Sequence, residues 1–396
     1  MLKATHQQTK EHNRNLVLKT IFEHASTSRA EVARITNLTR TTVSEIVADL
    51  IAEGLVTEIG MGSSIGGKSP ILISLVDDSR YIIGLDLANS QFYGAVINLR
   101  GETRAMISLP VNDSNGIEAL GLVYEMVDQL TRGEFRPVVG IGVGTPGLVN
   151  TRDGVVVNAV NLAWNNLPLA QLLQVRYGLP VFVLNDSQAA AMGEYTYGEG
   201  SKAGESLIVI NVRHGIGAGI VIDGKLFQGD GGGAGEIGHV VAVHTGGLPC
   251  RCGNWGCLET VASTQAVVAH ARQLVQAAAL PGLLEDPEKI TLGSLERDFT
   301  AGDPLACQVV LEAGRYMGIA IANMIGTLNI HKVILSGDMT LFGEPWLDEI
   351  RRTVEQSSLA GLVKETQINI GHLGGNRIAL GASALLLSDF SLLFNH

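Results

Sequence analysis

The sequence is poor in cysteine, aromatic residues and charge. Four cysteines in 396 residues are too few for the disulfide scaffold on which small secreted domains depend. Charged residues make up only 17% and hydrophobic ones 46%. Such a chain buries a full core, which excludes a disordered or fibrous protein. No run approaches the roughly 18 apolar residues that a membrane helix needs. The N-terminus, MLKATHQQTKEHNRN, lacks the apolar centre of a secretory signal. A cytoplasmic protein without membrane insertion is therefore expected. What the chain has in excess is glycine, 48 residues, which points to many tight turns and close backbone approaches. Its length suggests two to three domains of roughly 150 residues each.

Charge is unevenly distributed. The net charge is −11. Residues 1–76 hold eight Lys/Arg against seven Asp/Glu, whereas the remainder holds 20 against 32. An acidic body repels nucleic acid, so any DNA contact should be confined to the N-terminal segment.

Within residues 1–76, three helical patterns follow one another. The first runs from Asn15 to about Ala25, with Leu18, Ile21, Phe22 and Ala25 on one face. The second opens at Ser28, and Glu31 three residues later completes a capping-box pattern. It ends near Thr36, followed by a short turn at Asn37-Leu38. The third runs from Thr39 to Glu53 with an apolar stripe of Val43, Ile46, Val47 and Leu50, and Gly54 stands where a C-cap glycine belongs. Its other face begins Arg40, Thr41, Thr42, Ser44, side chains suited to base edges and phosphates in a major groove. Residues 55–59 and 71–75, joined by a glycine-rich tip that ends in Lys68, read as a β-hairpin wing. The whole segment resembles a winged helix-turn-helix domain. Its candidate DNA contacts are Arg29, Arg40, Thr41, Thr42, Ser44 and Lys68, with Arg14 as a further phosphate contact.

The body alternates strands and helices, the grammar of an α/β protein. Strands are expected at 81–87, 92–98, 103–109, 138–144, 181–185, 206–212, 218–223 and 332–336. Helices are expected at 116–131, 186–197, 264–280, 304–329, 346–358 and 379–390. The stretch Ile82 to Gly101 has an echo in Ile208 to Gly224. Two similar three-stranded beginnings point to two related lobes with a cleft between them, as in an actin-like ATPase or sugar kinase.

The strongest chemical motif is a cluster of thiols. His239 is followed by Cys250, Cys252 and Cys257, with Gly253 and Gly256 allowing tight folding around a centre. One imidazole and three thiolates complete a tetrahedral Zn2+ shell with no open position for a catalytic water, so the expected role is structural. His244 is an alternative fourth ligand, and Cys307 falls on a helical apolar pattern as a core residue.

Glu236-Ile-Gly-His239 followed by Cys250-Arg-Cys-Gly-Asn-Trp-Gly-Cys257-Leu-Glu259 resembles the signature of the ROK family (repressors, open reading frames and sugar kinases). Further matches are Gly144-Thr-Pro-Gly147, Asn185-Asp186 ahead of an Ala-rich helix with Glu194, and Gly215-Ile-Gly-Ala-Gly219. The N-terminal helices and wing are similar to those of the repressor branch. The resemblance implies a two-lobed, actin-like, sugar kinase-like and ribonuclease H-like body behind a winged domain. The expected domains are 1–76, a first lobe of 77–198 plus 379–396, and a second lobe of 199–378 with the zinc site and a dimerisation surface.

The resemblance also implies an effector sugar met by Asn161, Asn185, Asp186, Glu236, His239 and Glu259. Carboxylates and amides suit vicinal hydroxyls, and a metal-bound His239 would hold its neighbours in register. In the family's kinases the residue matching Asp186 is the general base. Those kinases also carry D-x-G-G-T after the first strand, where this chain has Asp86-Leu-Ala-Asn-Ser90. Side chains on Ala88 and Asn89 then stand where backbone amides would approach phosphate. The second phosphate loop reads Arg213-His-Gly215, and Ser336-Gly-Asp338 keeps one glycine of a pair. The sugar half follows the kinase pattern and the nucleotide half does not. A sugar-responsive DNA-binding regulator is expected, as a homodimer or homotetramer. An ATP-dependent sugar kinase with a DNA-binding domain is the alternative, and control by a protein of a sugar transport system is a third possibility within the family.

Overall fold

The computed structural model describes residues 6–63, 69–88, 90–198, 204–278, 287–387 and 390–394. The chain divides into two compact units, Met1–Asp186 with Ile378–His396, and Ser187–Arg377.

The first unit opens with α1 (His6–Glu23), α2 (Arg29–Thr36) and α3 (Arg40–Ala52). The start of α1 lies well ahead of the expected Asn15. Residues 6–14 have no apolar stripe, but they include good helix formers, and buried Val17, Leu18 and Ile21 anchor the helix they extend. Ser28 caps α2 by accepting the Glu31 N–H at 3.2 Å, and Thr39 caps α3 by accepting the Thr42 N–H at 3.2 Å. Asn37, at φ +57°, makes the turn between them in a left-handed conformation that asparagine tolerates. The wing strands Val56–Met61 and Ile71–Leu75 pair antiparallel, and Thr27–Ser28 adds a third strand. The module is fastened to its own unit by aromatic and arginine contacts. Phe22 stands edge-on to Phe390 at 5.4 Å, the Arg14 guanidinium lies 3.9 Å over Phe394, and Arg100 donates to the Phe22 carbonyl.

Each unit holds a five-stranded sheet of one design. In the first, Tyr81–Leu87 is flanked by antiparallel Gln91–Asn98 and Thr103–Pro110 on one side, and by parallel Val138–Thr145 and Val181–Asn185 on the other. In the second, Leu207–Val212 is flanked by antiparallel Ile216–Ile222 and Lys225–Phe227, and by parallel Lys332–Ser336 and Gln367–Ile370. The sequence echo is thus a duplicated fold. Glycine permits helices to lie directly on the sheets. A Cβ on Gly142 would stand 2.1 Å from the Ala382 carbonyl oxygen, and one on Gly219 would stand 2.3 Å from the Ala191 Cβ.

Several short elements escaped the periodicity analysis. They include the small sheet Leu148–Asn150, Val155–Ala159 and Trp164–Leu167, and the helices Leu169–Tyr177 and Leu292–Thr300. Segments this short repeat too few times to establish a period. The helix Pro304–Leu328 lies where one was expected, at 304–329. Although polar residues interrupt its apolar run, it is long and apolar enough to cross a membrane by length and composition. Its buried Val309, Val310, Met317, Ile321 and Ile325 belong to the hydrophobic core of the second unit.

Candidate functional site

The capped start of α3 presents Arg40, Thr41 and Ser44 to solvent, while Thr42 is half-buried and its hydroxyl shares a 2.9 Å hydrogen bond with that of Thr39. The basic residues around α3 differ in whether their charge is available. Arg29 pairs with Glu58 at 2.9 Å, Arg34 with Glu31 at 2.5 Å, and Arg14 with Glu53. Among the described residues, Arg40 alone of the arginines on α1–α3 has no carboxylate partner. Arg14 therefore departs from the expected phosphate contact, since its charge is spent on Glu53 and the Phe394 ring. Glu45 and Asp49 continue the exposed face of α3, so only its first turn suits an anionic partner. Lys68 at the wing tip, and Asn89 in the turn after the first body strand, lie outside the described residues.

In the second unit, His239, Cys250, Cys252 and Cys257 converge. Their ligand atoms all lie within 4.8 Å of one another, a group that could hold a metal ion. The His239 Nδ1 is 3.5 Å from the Cys250 Sγ, and the Cys252 and Cys257 sulfurs are 3.7 Å apart. His244 stands outside this cluster. Gly256 closes the loop where no side chain fits, since a Cβ there would stand 2.0 Å from the Val243 carbonyl oxygen. Burial pushes the Cys257 thiol up to about 12 and raises that of Cys250, whereas the hydrogen bond from the Asn254 backbone lowers Cys252. The crowded thiols hold protons that a cation would displace.

The residues implied as sugar contacts fall three on each unit. On the first, Asn185 ends the strand Val181–Asn185 and donates to the Gly147 carbonyl at 2.8 Å. Asp186 opens the helix Asp186–Tyr197, and exposed Asn161 sits in the short turn Val160–Leu162. On the second, the Glu236 Oε2 lies 3.9 Å from the His239 Nε2, so His239 faces the thiols with one nitrogen and Glu236 with the other. Glu259 accepts from the Ile216 N–H at 3.2 Å and from Arg251 at 3.1 Å. Sequence reasoning missed Arg251 and His214. Arg251 sits between two thiol ligands and orients Glu259. His214 is held below its usual range by burial and by Arg251. The signals were Arg251's place inside the cysteine motif and His214's place in the stretch Arg213-His-Gly215.

The loops 213–215 and 336–338 of the second unit approach each other through an ion pair. Arg213 approaches Asp338 at 4.0 Å, and a Cβ on Gly337 would stand 2.3 Å from the Val212 carbonyl oxygen.

Comparison with known proteins places these features in context. A family model described as the ROK family matches residues 82–389, and one described as winged helix-turn-helix DNA-binding matches residues 11–57. The chain is similar to the xylose repressor of Caldicellulosiruptor bescii, 33% identical over 393 residues and covering 98% of both chains. It is similar in structure to a ROK family transcriptional regulator that is a homologue of the E. coli MLC protein (TM-score 0.85, 28% identity, 98% of both chains). It is also similar to a ROK family glucokinase from Streptomyces griseus solved with glucose and AMPPNP (TM-score 0.69, 29% identity, 77% of this chain and 98% of that one). With a family model spanning most of its body and a relative one-third identical along almost its full length, this chain belongs to the ROK family.

Proposed function

We propose that the chain is a sugar-responsive DNA-binding transcriptional repressor of carbohydrate-metabolism genes. The observation that carries this reading is the full-length similarity to a xylose repressor, which includes the winged module as well as the body. DNA binds the module of residues 1–76 through the first turn of α3, with Arg40 as the uncompensated cation. Thr41, Thr42 and Ser44 contribute hydroxyls, Arg29 lends what charge Glu58 leaves, and Lys68 extends the contact from the wing. The sugar is met by Asn161, Asn185, Asp186, Glu236, His239 and Glu259. The second lobe, residues 199–378, carries the dimer surface, and a homodimer reads two half-sites about 34–36 Å apart. The protein works in the cytoplasm.

The thiol cluster fits zinc. Tetrahedral zinc, with bonds of about 2.3 Å to sulfur and about 2.0–2.1 Å to nitrogen, requires edges of about 3.7 Å between sulfurs and about 3.5 Å between sulfur and nitrogen. The Cys252–Cys257 pair stands at 3.7 Å and the Cys250–His239 pair at 3.5 Å, with all four atoms within 4.8 Å of one another. Three cysteines and a histidine fill four positions, so the ion would clip the loop and orient His239 without activating a water.

Asp186 and the similarity to a glucokinase favour a second reading, a sugar kinase fused to a DNA-binding module. Ala88 in the first phosphate turn and the Arg213–Asp338 pair oppose it. Thermal stability against a panel of pentoses, hexoses and N-acetylhexosamines, with and without AMPPNP and magnesium, separates the two. A ligand at a hundredfold excess over its Kd stabilises by about 2.7 kcal/mol. The repressor reading predicts a shift with one sugar and none with nucleotide. A nucleotide shift, followed by ADP release that Asp186→Ala abolishes, would establish the kinase instead.

A further inference from the structure

Glu194 is 2% exposed on the helix Asp186–Tyr197, and neither the metal cluster nor the sugar contacts use it. This helix takes the chain into the second unit at Ser187, and the loop 371–376 leads to Arg377, where the chain leaves it. The carboxylate sits against that loop. A Cβ on Gly371 would stand 2.3 Å from Oε1, and one on Gly198 would stand 2.5 Å from Oε2, so side chains are excluded on both sides. The Leu373 backbone, His372 and Arg377 all draw the carboxyl downward. Arg377, itself 9% exposed, donates to the Gly374 carbonyl at 2.7 Å and turns the loop back under the helix. Burial raises the carboxyl above its usual range against the pull of those three groups. Among the described residues, Oε1 has no hydrogen-bond partner. A carboxylate placed this way costs stability that an apolar side chain of similar volume would not.

We propose that Glu194 is a latch that joins the incoming helix and the outgoing loop of the second unit into one mechanical piece, so that the two chain crossings shift together. Among the described residues, the groups that bear on its carboxyl group from outside its own helix turn are those of 371–377 and Gly198. The latch is a property of the protein itself and does not depend on which ligand binds.

Hydrogen–deuterium exchange on the full chain tests it, with Glu194→Gln, Glu194→Ala and Gly371→Ala compared with the parent. Gly371→Ala leaves the carboxylate in place but pushes a methyl into it. The latch predicts about tenfold faster exchange in peptides covering 371–377 and 187–198 together, with the strand 207–212 unchanged, in all three variants. Unchanged exchange at 371–377 would overturn the proposal. So would equal acceleration of the 207–212 strand, because Glu194 would then be an ordinary stabiliser of the whole unit. If Glu194→Ala does not fold, the near-isosteric Glu194→Gln carries the same comparison.

Discussion

At the scale of single residues, what matters is whether a charge is already satisfied. Arg29 and Arg40 look alike in the sequence, yet Arg29 is neutralised by Glu58 and Arg40 is not. Arg40→Ala should weaken binding to a selected operator about tenfold or more and lower the salt slope by about one if the lost contact is to phosphate. Arg29→Ala should weaken binding much less. Fluorescence anisotropy across a salt series checks both, and equal losses would mean that the ion pair opens on DNA. The metal cluster yields a second test. Cys252→Ser should abolish bound metal and cost a few kcal/mol of stability. His244→Ala should leave metal content unchanged, because His244 lies outside the cluster. Elemental analysis with thermal denaturation reads both results. The four-residue cluster was legible in the sequence because three closely spaced cysteines and a histidine form a pattern with few other uses, and the fold brings these four together. Arg251 was not, since only the fold brings it to Glu259.

At the scale of elements, long strands and helices were legible and short ones were not. The capping residues Ser28 and Thr39 fixed the starts of α2 and α3 because a side-chain acceptor is needed there. The small sheet of the first unit carries no periodic signal, and it forms through its packing: Val149, Val156 and Trp164 are buried in the first unit's core. The pair of helices Pro304–Leu328 and Gly343–Ser357 illustrates a further limit. Glu349 is joined to Arg352 at 2.6 Å and to Arg315 at 2.7 Å, a bridge between helices that composition does not reveal. The Arg352 hydrogen bond, with Arg315, holds its carboxyl below the ordinary 4.5. This contribution is therefore present above pH 4.5 and is lost as pH falls through the folded value. Glu349→Gln should lower stability at neutral pH by about 1 kcal/mol, with the difference vanishing once pH falls below the depressed folded value. Parallel denaturant titrations check it, and a loss that persists in acid would assign the effect to packing.

At the scale of the whole molecule, the duplicated sheet was visible as an internal echo because both copies begin with the same three-stranded grammar. The composition that excluded DNA from the acidic body also directed it to the N-terminal module. The identity of the sugar was not legible, since discrimination between epimers depends on the arrangement of a few hydroxyl partners that motif spacing does not encode. The central claim is thermodynamic. A sugar that regulates transcription must bind the free and the operator-bound protein differently, and by the same factor with which it changes operator affinity. The direct measurement is a closed cycle on the purified protein: operator Kd without and with saturating sugar, and sugar Kd without and with saturating operator, using duplexes obtained by in vitro selection. The account predicts equal ratios of about fivefold or more on both sides of the cycle. Equal sugar affinity for free and DNA-bound protein would contradict it.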